Sequence, residues 1–96
     1  MAVQTKPFDV AEVLVDEDRI VAYLEEAFAD GDPAFIASAI GDVARARSMT
    51  AIARETGLAR ETLYQAFSPE GNPTLATVTA VVKALGFQLS IKPLAA

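Results

Sequence analysis

Residues 49–67 of this 96-residue chain read MTAIARETGLARETLYQAF, the most informative run of its sequence. It predicts two short helices joined by a tight turn at Gly57, because glycine readily adopts the positive φ that ends a helix. Ala53 lies four residues before this glycine and Leu63 six residues after it. This spacing is the layout of a helix-turn-helix, whose second helix enters the major groove of DNA.

Apolar periodicity separates the two sides of the motif. The residues expected to face inward are Ile52, Ala53, Leu58, Leu63 and Phe67. The residues expected to face outward on the second helix, and therefore to meet DNA, are Arg60, Glu61, Thr62, Tyr64 and Gln65.

The outward residues carry chemistry that suits base edges. Arg60 can pair bidentately with guanine, Gln65 can read adenine, and Glu61 can accept from cytosine N4. Tyr64 can reach a phosphate with its hydroxyl or a thymine methyl with its ring. For two of these residues a purely structural role stays open. Glu61 can be an acid that stabilises the helix dipole, and Tyr64 can be a half-buried packing residue. Arg60 has no clear folding role at an exposed helix start.

Two further places favour phosphate contacts. Thr50 and the first amides of the helix before Gly57 form one of them. Gly71, Asn72 and Thr74, at the start of the fifth expected helix, form the second. Asn72 also suits a helix cap alone, and Arg54 can simply pair with a nearby glutamate.

Together with the flanking sequence, caps and apolar periodicity predict five helices in all. Their expected extents are 17–29, from 33 to about 47, 50–56, from 60 to about 67, and from Asn72-Pro73 to a stop at Gly86. The expected apolar faces are Ile20, Leu24 and Phe28 on the first, Ile36, Ile40 and Val43 on the second, and Leu75, Val78, Val82 and Leu85 on the fifth.

The chain ends in a period-two pattern, since Phe87, Leu89 and Ile91 alternate with polar residues before Pro93. We expect a short C-terminal β-strand here. A lone strand cannot satisfy its own backbone groups, so it needs a partner. Two partners stay open: residues 8–15 (FDVAEVLV), themselves either a short strand or an extended lead-in, and a second copy in a dimer.

Charge divides the chain into two parts. Residues 1–44 carry two basic side chains against ten acidic ones, a net −8, and residues 45–96 carry six against three, a net +3. We expect a single domain, 1–96, with an acidic helical part over 1–47 and a DNA-binding part over 48–92. The asymmetry indicates two surfaces with different partners, although acidic helices can also serve solubility alone.

Composition narrows the function classes. The chain has no cysteine and no histidine, which excludes the usual zinc sites and every Ser-His or Cys-His mechanism. Its acids lie along exposed helix faces rather than in a pocket motif, so we expect no enzyme, no metal and no cofactor. The N-terminus has no signal-peptide pattern, and no apolar stretch approaches the ~20 residues of a membrane span. We therefore expect a cytoplasmic protein without a membrane partner.

Specific runs of the sequence carry a resemblance to a known family. These runs are residues 53–58, 60–64, 68–74 and 83–86, with 8–9, 23–24, 27, 31–33 and 39–42 upstream. They resemble the antidote (antitoxin) proteins of bacterial toxin–antitoxin modules, of the HigA-like type with a phage-repressor/Cro-like helix-turn-helix. The resemblance covers nearly the whole chain, and the loop SPEGNPT is its most specific part. One departure is Ala59, where the family commonly has a serine that caps the recognition helix; alanine cannot cap.

The resemblance implies two activities. Such an antidote neutralises a small basic toxin of the RelE/ParE-like fold, whose members typically cleave messenger RNA at the ribosome. As a dimer, alone or with the toxin, it represses its own operon at a palindromic operator. The net −8 half suits a basic toxin, which we expect to bind residues from about Phe8 to Ala29. The alternatives are a free-standing prophage-type repressor without a toxin and a protein-interaction module that has lost DNA binding.

Overall fold

The computed structural model describes residues 16–95, and these residues form five α-helices. The expected all-α class is confirmed, and four of the five helices begin within one residue of their expected starts. The helices are α1 (Glu17–Asp30), α2 (Pro33–Arg47), α3 (Met49–Thr56), α4 (Arg60–Ala66) and α5 (Leu75–Ala84). None of the helices in this range is long and apolar enough to cross a membrane.

Polar caps set the starts of the first three helices. Asp16 accepts a hydrogen bond from the Asp18 N–H at 3.0 Å, and Asp32 accepts one from the Ala34 N–H at 3.3 Å. Ser48 accepts one from the Ala51 N–H at 3.1 Å. Each bond satisfies an amide that has no partner within its own helix, and thereby fixes where the helix begins.

Helix α2 is central, since it packs against α1, α3 and α5. Small residues allow these close approaches, because Ala37, Ala39, Gly41 and Ala44 are all buried. Phe67, which directly follows α4, is completely buried. A Cβ at Gly41 would lie 2.6 Å from the Phe67 carbonyl oxygen, so only glycine permits this contact without a shift.

A polar contact joins α1 to α2. The Tyr23 hydroxyl donates to Asp42 Oδ2 at 2.6 Å, and Arg45 Nη2 donates to Asp42 Oδ1 at 2.9 Å. Burial of the phenol, followed by its hydrogen bond to Asp42, raises the pKa of Tyr23 from 10.0 to about 12. The native fold therefore favours the protonated phenol.

Two expected apolar faces differ from those observed. Phe28 is 39% exposed, and the fully buried Ala27 takes its place beside Ile20 and Leu24. These three residues follow the i, i+4, i+7 spacing of one helix face, from which Phe28 is rotated away. On α5, Val81 is buried and Leu75, in the first turn, is 74% exposed.

The expected start of the fifth helix at Asn72-Pro73 is wrong. The helix begins at Leu75, and Thr74 is its cap, because Thr74 Oγ1 accepts from the Thr77 N–H at 3.2 Å. The preceding residues are held in a turn in which the Gly71 N–H donates to the Ser68 carbonyl at 2.9 Å. The expected stop at Gly86 is confirmed by its φ of +94°.

The expected C-terminal strand is also wrong. Within the described residues, 87–95 form no strand. The Phe87 N–H donates to the Val82 carbonyl at 3.1 Å, which closes the end of α5, and the Phe87 side chain packs on the core. Alternation alone does not make a strand, since a ladder needs a neighbour. The first expected partner, residues 8–15, lies outside the described residues.

Tyr23 predicts a pH dependence of stability. Because its folded pKa is raised, its contribution is full below pH 10 and is lost as the pH rises from about 10 to 12, where the unfolded phenol ionises first. Tyr23→Phe removes the bond to Asp42 and should lower the free energy of unfolding by about 1 kcal/mol at pH 7. Denaturant unfolding of both proteins should show this difference shrinking between pH 10 and pH 12. A difference that stays constant across this range would contradict the assignment.

Candidate nucleic-acid interface

The unit formed by α3, a three-residue turn and α4 is held by backbone and side-chain bonds. Gly57 has a φ of +77°, as the sequence predicts, and its N–H donates to the Ala53 carbonyl at 2.9 Å. The Thr56 hydroxyl donates to the Ile52 carbonyl at 2.8 Å and accepts from the Leu58 N–H at 3.3 Å. Thr56 therefore fixes the exit from α3, a role that neither apolar spacing nor the glycine at residue 57 predicts.

The inward side of this unit is as the sequence predicts. Ile52, Leu63 and Phe67 are buried, and Ala53 and Leu58 pack partly buried against the same core. Helix α4 is only seven residues long, so these contacts rather than its own length must stabilise it. The direction in which its other face points is fixed as a result.

All five outward residues of α4 are exposed: Arg60, Glu61, Thr62, Tyr64 and Gln65. They share one continuous surface, since residues three and four apart on a helix are neighbours. Glu61 lies in the first turn, where an acid also stabilises the helix dipole. Tyr64 is 39% exposed, which places its ring on the surface rather than in the core.

One contact on this surface is not anticipated by the sequence analysis. The Arg60 guanidinium lies over the Tyr64 ring, with its central carbon 5.6 Å from the ring centroid. This distance is within the range of a cation–π interaction. The four-residue spacing is a sequence signal that could have identified it.

Of the two expected phosphate positions, the first is open. Thr50 is exposed in the first turn of α3, beside amides that a helix start leaves without intrahelical partners. The nearby Ala51 N–H is satisfied by the Ser48 cap. Thr50 thus remains available to an anion at the start of an eight-residue helix.

The second position is more heavily used by the fold. The Gly71 N–H is engaged in its turn, and a Cβ there would clash with the carbonyl oxygens of Gln65 and Ala66. The Thr74 hydroxyl caps α5 and also donates to the Thr77 hydroxyl at 3.1 Å. Asn72 is exposed between them. Gly71, Asn72 and Thr74 thus lie together on the 68–74 loop after α4. The Gly71 N–H and the Thr74 hydroxyl are used by these bonds, and the Asn72 side chain is not part of them.

Charged side chains are distributed unevenly over the described residues. Arg47, Arg54 and Arg60 are exposed on and around the α3–α4 unit, together with the acids Glu55 and Glu61, whereas the exposed charges of α1 are mostly acidic. Three ion pairs join residues within 16–95, namely Arg19–Asp16, Arg45–Asp42 and Lys92–Glu25. Residues 16–95 contain no acidic cluster that could hold a metal ion.

Comparison with known proteins gives a family. The sequence model of the family described as "Probable addiction module antidote protein" matches residues 4–93. A protein of Haemophilus influenzae, described as uncharacterized, is 50% identical over 92 residues, which cover 96% of this chain and 95% of the relative. No solved structure matches the chain.

Ala59 offers a direct test of how α4 begins. It occupies the cap position with extended backbone (φ −70°, ψ 143°) and makes no side-chain cap bond, as the sequence predicts. Ala59→Ser should raise the free energy of unfolding by about 1 kcal/mol, because serine can accept a first-turn amide. Denaturant midpoints measure this change.

Ala22→Ser, at an exposed position inside α1, is the matched control. Serine is a poorer helix former than alanine in a helix interior, so this variant should lose about 0.5 kcal/mol. Equal effects of the two substitutions would show that residue 59 is not a cap position.

Proposed function

We propose, since the chain belongs to the family of probable addiction module antidote proteins, that it neutralises a basic toxin of the RelE/ParE-like fold and represses its own operon. An antidote of an addiction module is an antitoxin, and a toxin is its partner. The finer proposal is a HigA-like antitoxin that acts in the cytoplasm as a non-enzymatic dimer. Its DNA-binding part, 48–92, carries a repressor/Cro-like helix-turn-helix.

The observation that carries this proposal is the row of exposed polar side chains on α4. Its buried side is fully occupied by Leu63 and the adjoining Phe67, so the opposite side has no packing role. Arg60 at the first position of α4 suits the two acceptors of guanine, and Gln65 one turn later suits adenine. Thr50 and Asn72 flank this row along the chain and suit phosphates.

The acidic side of α1 supports the toxin part of the proposal. Five of its acids are exposed: Glu17, Asp18, Glu25, Glu26 and Asp30. Complementary charge speeds the encounter with a basic partner and favours it over acidic ones. The buried residues of α1 pack against α2 instead, so this acidic side is exposed to a partner. One of its acids, Glu25, forms an exposed ion pair with Lys92 at 3.8 Å, which a basic partner would displace.

Exposed apolar side chains support a homodimer. An open groove on α5 is lined by Leu75, Phe87 and Leu89, and Ile91 is 99% exposed just beyond it. Leu94 is also exposed. A surface that carries both a groove and projecting apolar residues suits reciprocal contacts with a second copy about a two-fold axis. Two-fold symmetry would set two α4 helices at the fixed spacing that paired half-sites require.

Arg60→Ala should abolish specific operator binding and leave toxin neutralisation intact. The substitution removes the bidentate donor but touches neither the core nor α1. Gel shifts with the upstream region of its operon measure the first effect. The second effect is measured by co-expressing the variant with the proposed toxin encoded beside it, where growth shows that the toxin is neutralised.

Arg19→Ala is the charge-matched control, because it removes one exposed arginine from α1 instead of α4. It should leave operator affinity unchanged at equal salt. Unchanged operator affinity in Arg60→Ala would contradict the assignment of α4 as the recognition helix. Operator binding together with a failure to bind or neutralise any toxin would favour the free-standing repressor.

The dimer surface predicts a concentration-dependent mass. Leu75→Ser should weaken self-association with little loss of monomer stability, since this side chain is mostly exposed. Ala76→Ser, on the next exposed position of α5, is the control and should not weaken it. Sedimentation equilibrium over a concentration series distinguishes the outcomes. A single-chain mass for the unsubstituted protein at every concentration would rule out the homodimer.

A further inference from the structure

The contact between Arg60 and Tyr64 is made at an electrostatically unfavourable place. Arg60 is the first residue of α4, and the start of a helix carries partial positive charge that repels a cation. Ala59 provides no cap bond, and the acid in this first turn is Glu61. The Tyr64 ring offers the guanidinium its negative face at 5.6 Å. This contact therefore keeps the Arg60 side chain against α4.

We propose that Tyr64 is a positioning residue, which holds the Arg60 guanidinium ready for base reading. This inference rests on the proposed function, because it assumes that α4 reads DNA. It assigns Tyr64 a role through Arg60 rather than a contact of its own with a phosphate or a thymine methyl.

The geometry of a guanidinium makes the two roles of Arg60 compatible. Stacking on a ring uses the flat face of the group, whereas its five N–H donors lie in the plane at its edge. The edge that would donate to guanine O6 and N7 is therefore not consumed by the ring. A phosphate or an acidic side chain in place of the ring would compete for the same donors.

Pre-positioning also lowers the cost of binding. An arginine side chain has several rotatable bonds, and fixing them at an interface costs affinity. A side chain that already rests on Tyr64 loses less freedom when it meets a base. An exposed cation–π contact corresponds to a factor of about two to five in an equilibrium constant, which sets the expected size of the effect.

The test is a double-mutant cycle on operator affinity, with Tyr64→Leu, Tyr64→Phe, Arg60→Ala and the Arg60→Ala/Tyr64→Leu pair. Tyr64→Leu should weaken operator binding about two- to fivefold, as the contact strength dictates. Tyr64→Phe keeps the ring and should bind like the unsubstituted protein. All four proteins and the unsubstituted one are measured at the same low salt, where phosphate contacts keep residual binding to this DNA measurable even after Arg60→Ala has removed specific binding. In that background Tyr64→Leu should have no further effect.

A second measurement needs no DNA. In the free protein, the ring current of residue 64 should shift the NMR resonances of the Arg60 side chain. The shift should persist in Tyr64→Phe and vanish in Tyr64→Leu. Circular dichroism of both variants controls for the helix content of the fold.

The outcomes separate the two levels of the proposal. Equal losses from Tyr64→Leu with and without Arg60 would mean a direct DNA contact of Tyr64 and would overturn the positioning role alone. A loss in Tyr64→Phe would point to the hydroxyl and would overturn it as well. No operator binding by the unsubstituted protein would overturn the proposed function together with this inference, whatever the NMR shift.

Discussion

The close approach of Gly41 to Phe67 fixes how α4 sits against the central helix α2. Phe67 ends the short α4 and is completely buried, while Gly41 lies in the middle of the central α2. A Cβ at Gly41 would meet both the carbonyl oxygen of Phe67 at 2.6 Å and its Cβ at 3.0 Å. Interiors are packed too densely to absorb such an atom without movement. The position of α4 is therefore set at its C-terminal end by a backbone contact.

This anchorage determines what the outer side of α4 is free to do. A seven-residue helix without a side-chain cap is not stable alone, so Leu63 and Phe67 must hold it by burial. Its exposed side chains then do not pack in the core, and they can differ in chemistry without destabilising it. The turn before α4 is likewise fixed from inside, by the Thr56 hydroxyl and by Leu58 on the core. Stability and surface chemistry are thus assigned to opposite sides of the same helix.

The sequence predicts the parts of the fold that local chemistry controls. Gly57 and Gly86 are predictable because helices often end at a residue with positive φ, which glycine adopts readily, and Ile52, Leu63 and Phe67 are predictable because apolar spacing marks a buried face. The start of α5 differs from the expectation because Asn72-Pro73 and Thr74 both offer cap chemistry, and only the Ser68–Gly71 turn decides between them. The expected terminal strand fails for a related reason, since an alternating pattern does not show whether a neighbouring strand is present. The contact residues on DNA stay predictions, because exposure alone does not identify a ligand.

Adjacent residues of α2 connect the two proposed surfaces, which are the acidic side of α1 and the outer side of α4. Asp42 holds α1 through the Tyr23 hydroxyl, and Gly41 receives the end of α4. Neighbouring residues on a helix point about 100° apart, so the two contacts approach α2 from different sides. A toxin on the acidic side of α1 would therefore be held at a fixed placement relative to α4, with no flexible linker between them. Such a toxin would affect DNA binding at α4 through its own shape and charge, because adjacent residues of α2 anchor both surfaces.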